Sequence, residues 1–126
     1  MITVYGIRNC GVCRKALEWL SAQDIKHRFH DLRGDGLDGA ALEGWIAALG
    51  WERLLNRRGT TWRKLPAAVR DDVSAQSARD LMLDHPTLIK RPVFDAGGNF
   101  LVGFSDAERD ALAGGNPPHP VSSDTS

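Results

Sequence analysis

The chain has 126 residues, sixteen of them basic and sixteen acidic, so its formal net charge is zero. That length suits one domain with a core of its own, and the balanced charge argues against an extended phosphate-binding surface and so against a direct nucleic-acid partner. No apolar run approaches bilayer-spanning length, which excludes a membrane partner, and an apolar strand signal from residue 2 leaves no room for a signal peptide.

Residues 2–5 read as a short buried strand. Helical periodicity follows and predicts a helix to about residue 22. Asp24 and Ile25 turn the chain, and residues 26–32 read as a second strand, with His27 and Phe29 on one face. Strand, helix and strand in so short a span imply a right-handed unit with the two strands parallel. Gly34, Asp35 and Gly36 break the chain. Asp38 is a credible cap for a second helix, in which Leu42, Trp45, Ile46 and Leu49 recur at i, i+3, i+4 and i+7 before Gly50 stops it.

Residues 51–55 suit a short helical turn, and residues 56–64 a basic loop carrying Arg57, Arg58, Arg63 and Lys64. Such a loop is either a solvated surface or an anion site, since arginine matches oxyanions geometrically. Pro66 suits the first position of another short helix. Ser74 can cap a longer one bearing Ala78, Leu81 and Met82, ended by Pro86. Residues 92–95, Gly97-Gly98 and residues 99–104 read as a β-hairpin. Ser105 and Glu108 form a capping box for a last helix to about residue 112. Residues 114–126 read as a disordered tail.

This order predicts an α/β, thioredoxin-like fold with a mixed four-stranded sheet. The domain spans residues 1–113, with a helical insertion at about 38–85. Pro92 opens the third strand, where proline cannot donate to the ladder, so it marks a special backbone position.

Cys10 and Cys13, the two cysteines, fall where the first strand turns into the first helix. Residues at i and i+3 are helical neighbours, close enough for a disulfide. A thiol at a helix N-terminus meets the positive end of the macrodipole, and nearby cations add to this; Arg8, Arg14 and Lys15 supply them. Cys10 is the expected nucleophile because it lies at the helix start, nearer water. Cys13 shares a face with Ala16, Leu17 and Leu20, so it is either a resolving thiol or a packed core thiol. A zinc site needs two further ligands, and the chain has no second pair of suitable spacing, so no metal is expected. Two cysteines in a redox-type motif, without a disulfide framework, suit a reducing cytoplasm.

Several stretches resemble the ArsC/Spx family of arsenate-reductase-like proteins, and its YffB-like branch in particular. They are residues 5–10 (Tyr-Gly-Ile-Arg-Asn-Cys), residues 54–62, His85-Pro86 and residues 89–92 (Ile-Lys-Arg-Pro). The resemblance implies a thioredoxin fold with a helical insertion and a cis peptide at Pro92. It implies a glutathione-dependent thiol reductase with Cys10 as nucleophile, Cys13 or glutathione resolving, and Arg91 as an anion ligand. Arg8, Asn9, Arg57, Arg58 and Pro92 are the further candidates for substrate contact. No bound cofactor is expected; glutathione is the expected reductant, a small thiol or disulfide the expected substrate, and a monomer the expected form.

Arsenate reductases of the family hold oxyanions with three arginines. Arg91 matches one, while the other two positions fall on Asn56 and Gly103, so arsenate chemistry is the weaker expectation. The second cysteine is similar to that of the Spx branch, redox-controlled transcription regulators that bind RNA polymerase, and that branch is the rival reading.

Overall fold

Ile2–Gly6 forms β1, in which Thr3, Val4 and Gly6 are buried and Ile2 and Tyr5 are half-buried. Val4 is fully enclosed, as a β-branched residue on the inner face of a pleated strand should be. The structure, a computed structural model, describes residues 1–114. β1 is an inner strand of a four-stranded sheet ordered β2-β1-β3-β4, where β2 is His27–Asp31, β3 is Val93–Asp95 and β4 is Phe100–Val102. β1 and β3 run antiparallel, with Val4 opposite Phe94 and Tyr5 opposite Val93. β3 and β4 form the expected hairpin, with Val93 opposite Val102. Its turn holds Gly97 and Gly98 at φ +72° and +96°, a region that glycine enters without steric penalty, and the Gly98 N–H donates to the Asp95 carboxylate at 3.0 Å.

Helix α1, Gly11–Ala22, buries Cys13, Ala16 and Leu20. This is the i, i+3, i+7 stripe that a helix presents to a sheet. Ala16 and Leu20 join Val4, Phe94, Leu101 and Leu112 in one apolar core. Leu112 comes from the last helix, Asp106–Ala113, at whose start the Ser105 N–H donates to Glu108 at 2.7 Å. Among the described residues, 1–30 and 91–114 make up this first unit; Asp31–Lys90 make up a second.

The second unit is helical. Its helices are α2 (Gly39–Leu49), α3 (Trp51–Leu54), α4 (Thr60–Arg63), α5 (Ala67–Asp71) and α6 (Ala75–Asp84), followed by a 3₁₀ turn at Pro86–Leu88. The helix before the three short ones is therefore α2 and the one after them α6; the last helix of the first unit is α7. Asp38 caps α2 by accepting the Ala40 N–H at 3.1 Å, and Gly50 ends it at φ +88°. Ser74 and Ser77 cap α6 reciprocally: the Ser77 N–H donates to the Ser74 hydroxyl at 3.2 Å and the Ser74 N–H to that of Ser77 at 2.8 Å. Leu42, Trp45, Leu54, Leu55, Trp62, Ala78, Met82, Leu88 and Ile89 are the buried residues between these helices.

Two expectations need correcting. Residues 56–64 are not loop throughout, because Thr60–Arg63 close a helical turn that places Trp62 in the interior. Pro66 stands just before α5 rather than at its first position. The expected tail, apart from Gly114, lies outside the described residues. Among the described residues, no helix is long and apolar enough to cross a membrane.

Candidate active site

Cys10 occupies the cap position of α1, with extended backbone at φ −89°, ψ 121°. Its N–H donates to the Ile7 carbonyl at 3.0 Å, and its own carbonyl accepts the Arg14 N–H at 3.0 Å. This tight turn of Arg8 and Asn9, both exposed, brings Cys10 to the head of the helix. Cys10 is half-buried and Cys13, one turn on, is 1% exposed; both are free thiols. Cys13 packs onto the end of β1, where Gly6 leaves room for it. A Cβ on Gly6 would stand 2.5 Å from the Cys13 sulfur.

The two thiols have opposite electrostatic settings. Partial burial pushes the Cys10 thiol up, but a hydrogen bond from the Cys13 backbone N–H, the Arg91 guanidinium and the Cys13 thiol together outweigh it, and the net pKa is lowered. Burial dominates at Cys13 and pushes its thiol up to about 11; the Ile7 backbone opposes this, the neighbouring Cys10 adds to it, and Arg91 opposes it weakly. Thiolate is the nucleophilic form, so the arrangement favours attack by Cys10 and leaves Cys13 protonated.

The cation that acts on Cys10 is Arg91, and this corrects the sequence expectation. Arg14 and Lys15 are exposed, and Arg8 places its guanidinium over the Phe29 ring at 5.6 Å. Arg91 is distant in sequence, but the β1–β3 pairing brings it to Cys10: Tyr5 lies opposite Val93, two residues after Arg91. The Arg91–Pro92 peptide is cis, as the resemblance implies. Pro92 is buried and its carbonyl accepts the Gly103 N–H at 2.9 Å.

The positions matched to the other two family arginines are already committed. Gly103 has φ +90°, a backbone that side-chain-bearing residues rarely adopt, and its N–H is held by Pro92. Asn56 accepts the Arg58 N–H on its side-chain oxygen at 3.0 Å, a local turn that shapes the basic segment. Arg57 and Arg58 lie in the second unit. There Arg57 stands over the Trp51 and Trp62 rings at 5.8 and 5.5 Å, and the Arg63 guanidinium donates to the Arg58 carbonyl at 2.9 Å.

Gly6 is a site residue that the sequence reading missed. Its signal is available: a glycine closes a β-branched strand four residues before Cys10, where close approach of another group is a standard reason for glycine.

The ArsC family model matches residues 5–112. A solved structure named YFFB protein is similar at TM-score 0.83 and 43% identity, over 89% of this chain and 99% of its own. An arsenate reductase (ArsC) related protein from Brucella melitensis is 47% identical at TM-score 0.73, over 87% of this chain and 92% of its own. The global transcriptional regulator Spx of Streptococcus agalactiae is 28% identical over 110 residues, 86% of this chain and 80% of the regulator. With the sheet order described above, these likenesses give a thioredoxin-like α/β fold with a mixed four-stranded sheet.

Proposed function

This chain belongs to the ArsC family, a family of thiol-based reductases and regulators, and on that footing we propose that it is a thiol–disulfide reductase working on Cys10 with glutathione as reductant. The observation that supports this reading most is the asymmetry of the pair: a half-exposed Cys10 with a lowered pKa beside a buried Cys13 near 11.

The Cys10 thiolate attacks one sulfur of a substrate disulfide. The disulfide breaks, its second half leaves as a thiolate and takes a proton, and the first half stays bonded to Cys10. One glutathione thiolate displaces that half from Cys10. A second removes the bound glutathione as glutathione disulfide and restores the Cys10 thiolate. The two electrons therefore come from two glutathione molecules. Cys13 is a weak resolving group in this scheme, because very little of it is thiolate near neutral pH. Arg91 supports the leaving and attacking thiolates as it supports Cys10. Arg8 and Asn9, exposed on the turn into Cys10, are the substrate contacts we favour, with Pro92 fixing the backbone after Arg91. The setting that suits this chemistry is a reducing compartment, the cytoplasm.

Arsenate is a poorer substrate in this reading, since oxyanion transfer needs several converging donors and Gly103 and Asn56 are committed elsewhere. The Spx likeness supports a second reading, in which the adjacent thiols are a switch that alters the binding of RNA polymerase.

Steady-state reduction of a glutathione mixed disulfide, run beside arsenate, tests the proposal. Turnover that Cys10→Ser abolishes and Cys13→Ser largely keeps is the expected result. A single stoichiometric oxidation without turnover favours the switch.

A further inference from the structure

The basic segment after α3 takes no part in the chemistry proposed above, yet it borders a hollow of about 310 Å³ lined by Glu52, Leu55, Arg57, Arg58 and Lys90. All five residues belong to the second unit. The volume lies at the small end of the range for small-molecule sites, about 300–1,000 Å³. Two paired segments hold the hollow together. Leu55 bridges Ile89 in antiparallel fashion, the Asn56 N–H donates to the Leu88 carbonyl at 2.6 Å, and the Lys90 N–H donates to the Leu54 carbonyl at 2.7 Å. Leu54, Leu55, Leu88 and Ile89 are buried, so this pairing is anchored in the core and sets Lys90 beside the segment that leads to the arginines. That segment is fixed as well. The Arg58 N–H donates to the Asn56 side-chain oxygen at 3.0 Å, and the Arg58 carbonyl accepts the Arg63 guanidinium at 2.9 Å. The Arg57 guanidinium stands over Trp51 and Trp62, a contact that orders the side chain without neutralising it. Among the described residues, no carboxylate makes an ion pair with Arg57, Arg58 or Lys90, Glu52 included.

We propose that this hollow binds a small doubly charged oxyanion, the phosphate group of a free ion or of a small ester. Guanidinium forks present paired N–H donors that match phosphate oxygens, and lysine adds a compact point charge. Three cations against one carboxylate leave a surplus that a dianion balances and a monoanion only half meets. Arg57 is held by two rings before any ligand arrives, so less side-chain freedom is lost on binding. Glu52 opposes any anion in the hollow and sets the affinity below what the three cations alone would give. The site needs neither cysteine, and the proposal does not depend on the reductase reading.

The test is an amide NMR titration of the whole protein with inorganic phosphate at about pH 8, where phosphate is mostly a dianion, beside sodium chloride at equal ionic strength. The amides of Arg57, Arg58 and Lys90 and the Trp51 indole N–H should shift together along one saturable curve with phosphate and stay nearly still with chloride. Glycerol 2-phosphate, titrated in parallel, separates the sources: both ligands support the site, and the tighter one names the ion or the ester. Lys90→Glu should weaken phosphate binding about tenfold or more, the scale of one charge-assisted hydrogen bond. Glu52→Gln should tighten it about two- to fivefold, the scale of an exposed charge pair, and a gain in affinity cannot come from misfolding. Equal shifts with chloride would reduce the cluster to a solvated surface and overturn the site. Phosphate shifts centred on Cys10 instead of Arg57 and Arg58, or an affinity that neither variant moves, overturn it as well.

Discussion

Substituting Gly6 by alanine adds one methyl group at the point where β1 meets the buried thiol. The new Cβ would stand 2.5 Å from the Cys13 sulfur, 3.3 Å from the Cys13 Cβ and 3.3 Å from Phe29 Cε1. Non-bonded heavy atoms settle near 3.5–4.0 Å, so the sulfur has to retreat by about 1 Å. Overpacking of this kind costs about 1–3 kcal/mol. Alanine also restricts the unfolded chain, which returns about 0.4–1 kcal/mol. The net expectation is a loss on the order of 1–2 kcal/mol, visible as a lower urea midpoint with an unchanged m-value. The displaced Cys13 loses part of the burial that holds its pKa near 11, so it should become alkylatable at mildly alkaline pH, as mapped by peptide mass spectrometry. A midpoint equal to that of the wild type, with Cys13 still resistant to alkylation, would refute the packing argument.

Arg91→Ala should raise the Cys10 pKa, because the guanidinium favours the thiolate both by hydrogen bond and by charge. The acidic limb of the rate profile then moves to higher pH. With a charge-assisted bond contributing about 1.5–3 kcal/mol, kcat/KM near neutrality should fall about ten- to a hundredfold. Mild oxidation should form an intramolecular Cys10–Cys13 disulfide, seen as loss of two hydrogens without dimer, since the i, i+3 spacing at the head of α1 makes the two residues neighbours; glutathione adducts alone would count against the pairing. Ser74→Ala removes the hydroxyl that accepts the Ser77 N–H at the α6 cap and should lower stability by about 0.5–2 kcal/mol in thermal or urea unfolding, with Cys10 alkylation unchanged. Arsenate reduction by the purified protein should be weak or absent.

Local rules carried much of the fold. Asp38, Ser74 and Ser105 stand at helix starts, and each does so through contacts within three residues. Leu42 and Trp45 are buried as their spacing requires. The Gly97-Gly98 turn and the strands beside it follow from backbone permissiveness. At the site, the position of Cys10 at the helix cap and the burial of Cys13 were also legible, because both follow from helical periodicity.

Effects between residues far apart in sequence were harder to read. Sequence proximity points to Arg8, Arg14 and Lys15 as the charge near Cys10, whereas the acting cation arrives through β1–β3 pairing from residue 91. The family resemblance had already marked Arg91, but as an anion ligand. Trp62 likewise looked like part of a polar loop. Its burial turns Thr60–Arg63 into a helical turn, and Arg57 is stacked over Trp51 and Trp62. Aromatic capture of a cation depends on three positions in the folded chain, and no window of the sequence displays it.

The division of labour between the two thiols is tested most directly by thiolate absorbance against pH in Cys13→Ser and Cys10→Ser. In Cys13→Ser the remaining Cys10 should titrate below the ordinary thiol range, because Arg91 and the backbone N–H of residue 13 are still present. In Cys10→Ser the remaining Cys13 should stay protonated well above that range, since burial is the largest cause of its shift. A Cys10 that ionises at or above the ordinary range, or a Cys13 that ionises before it, would contradict the account.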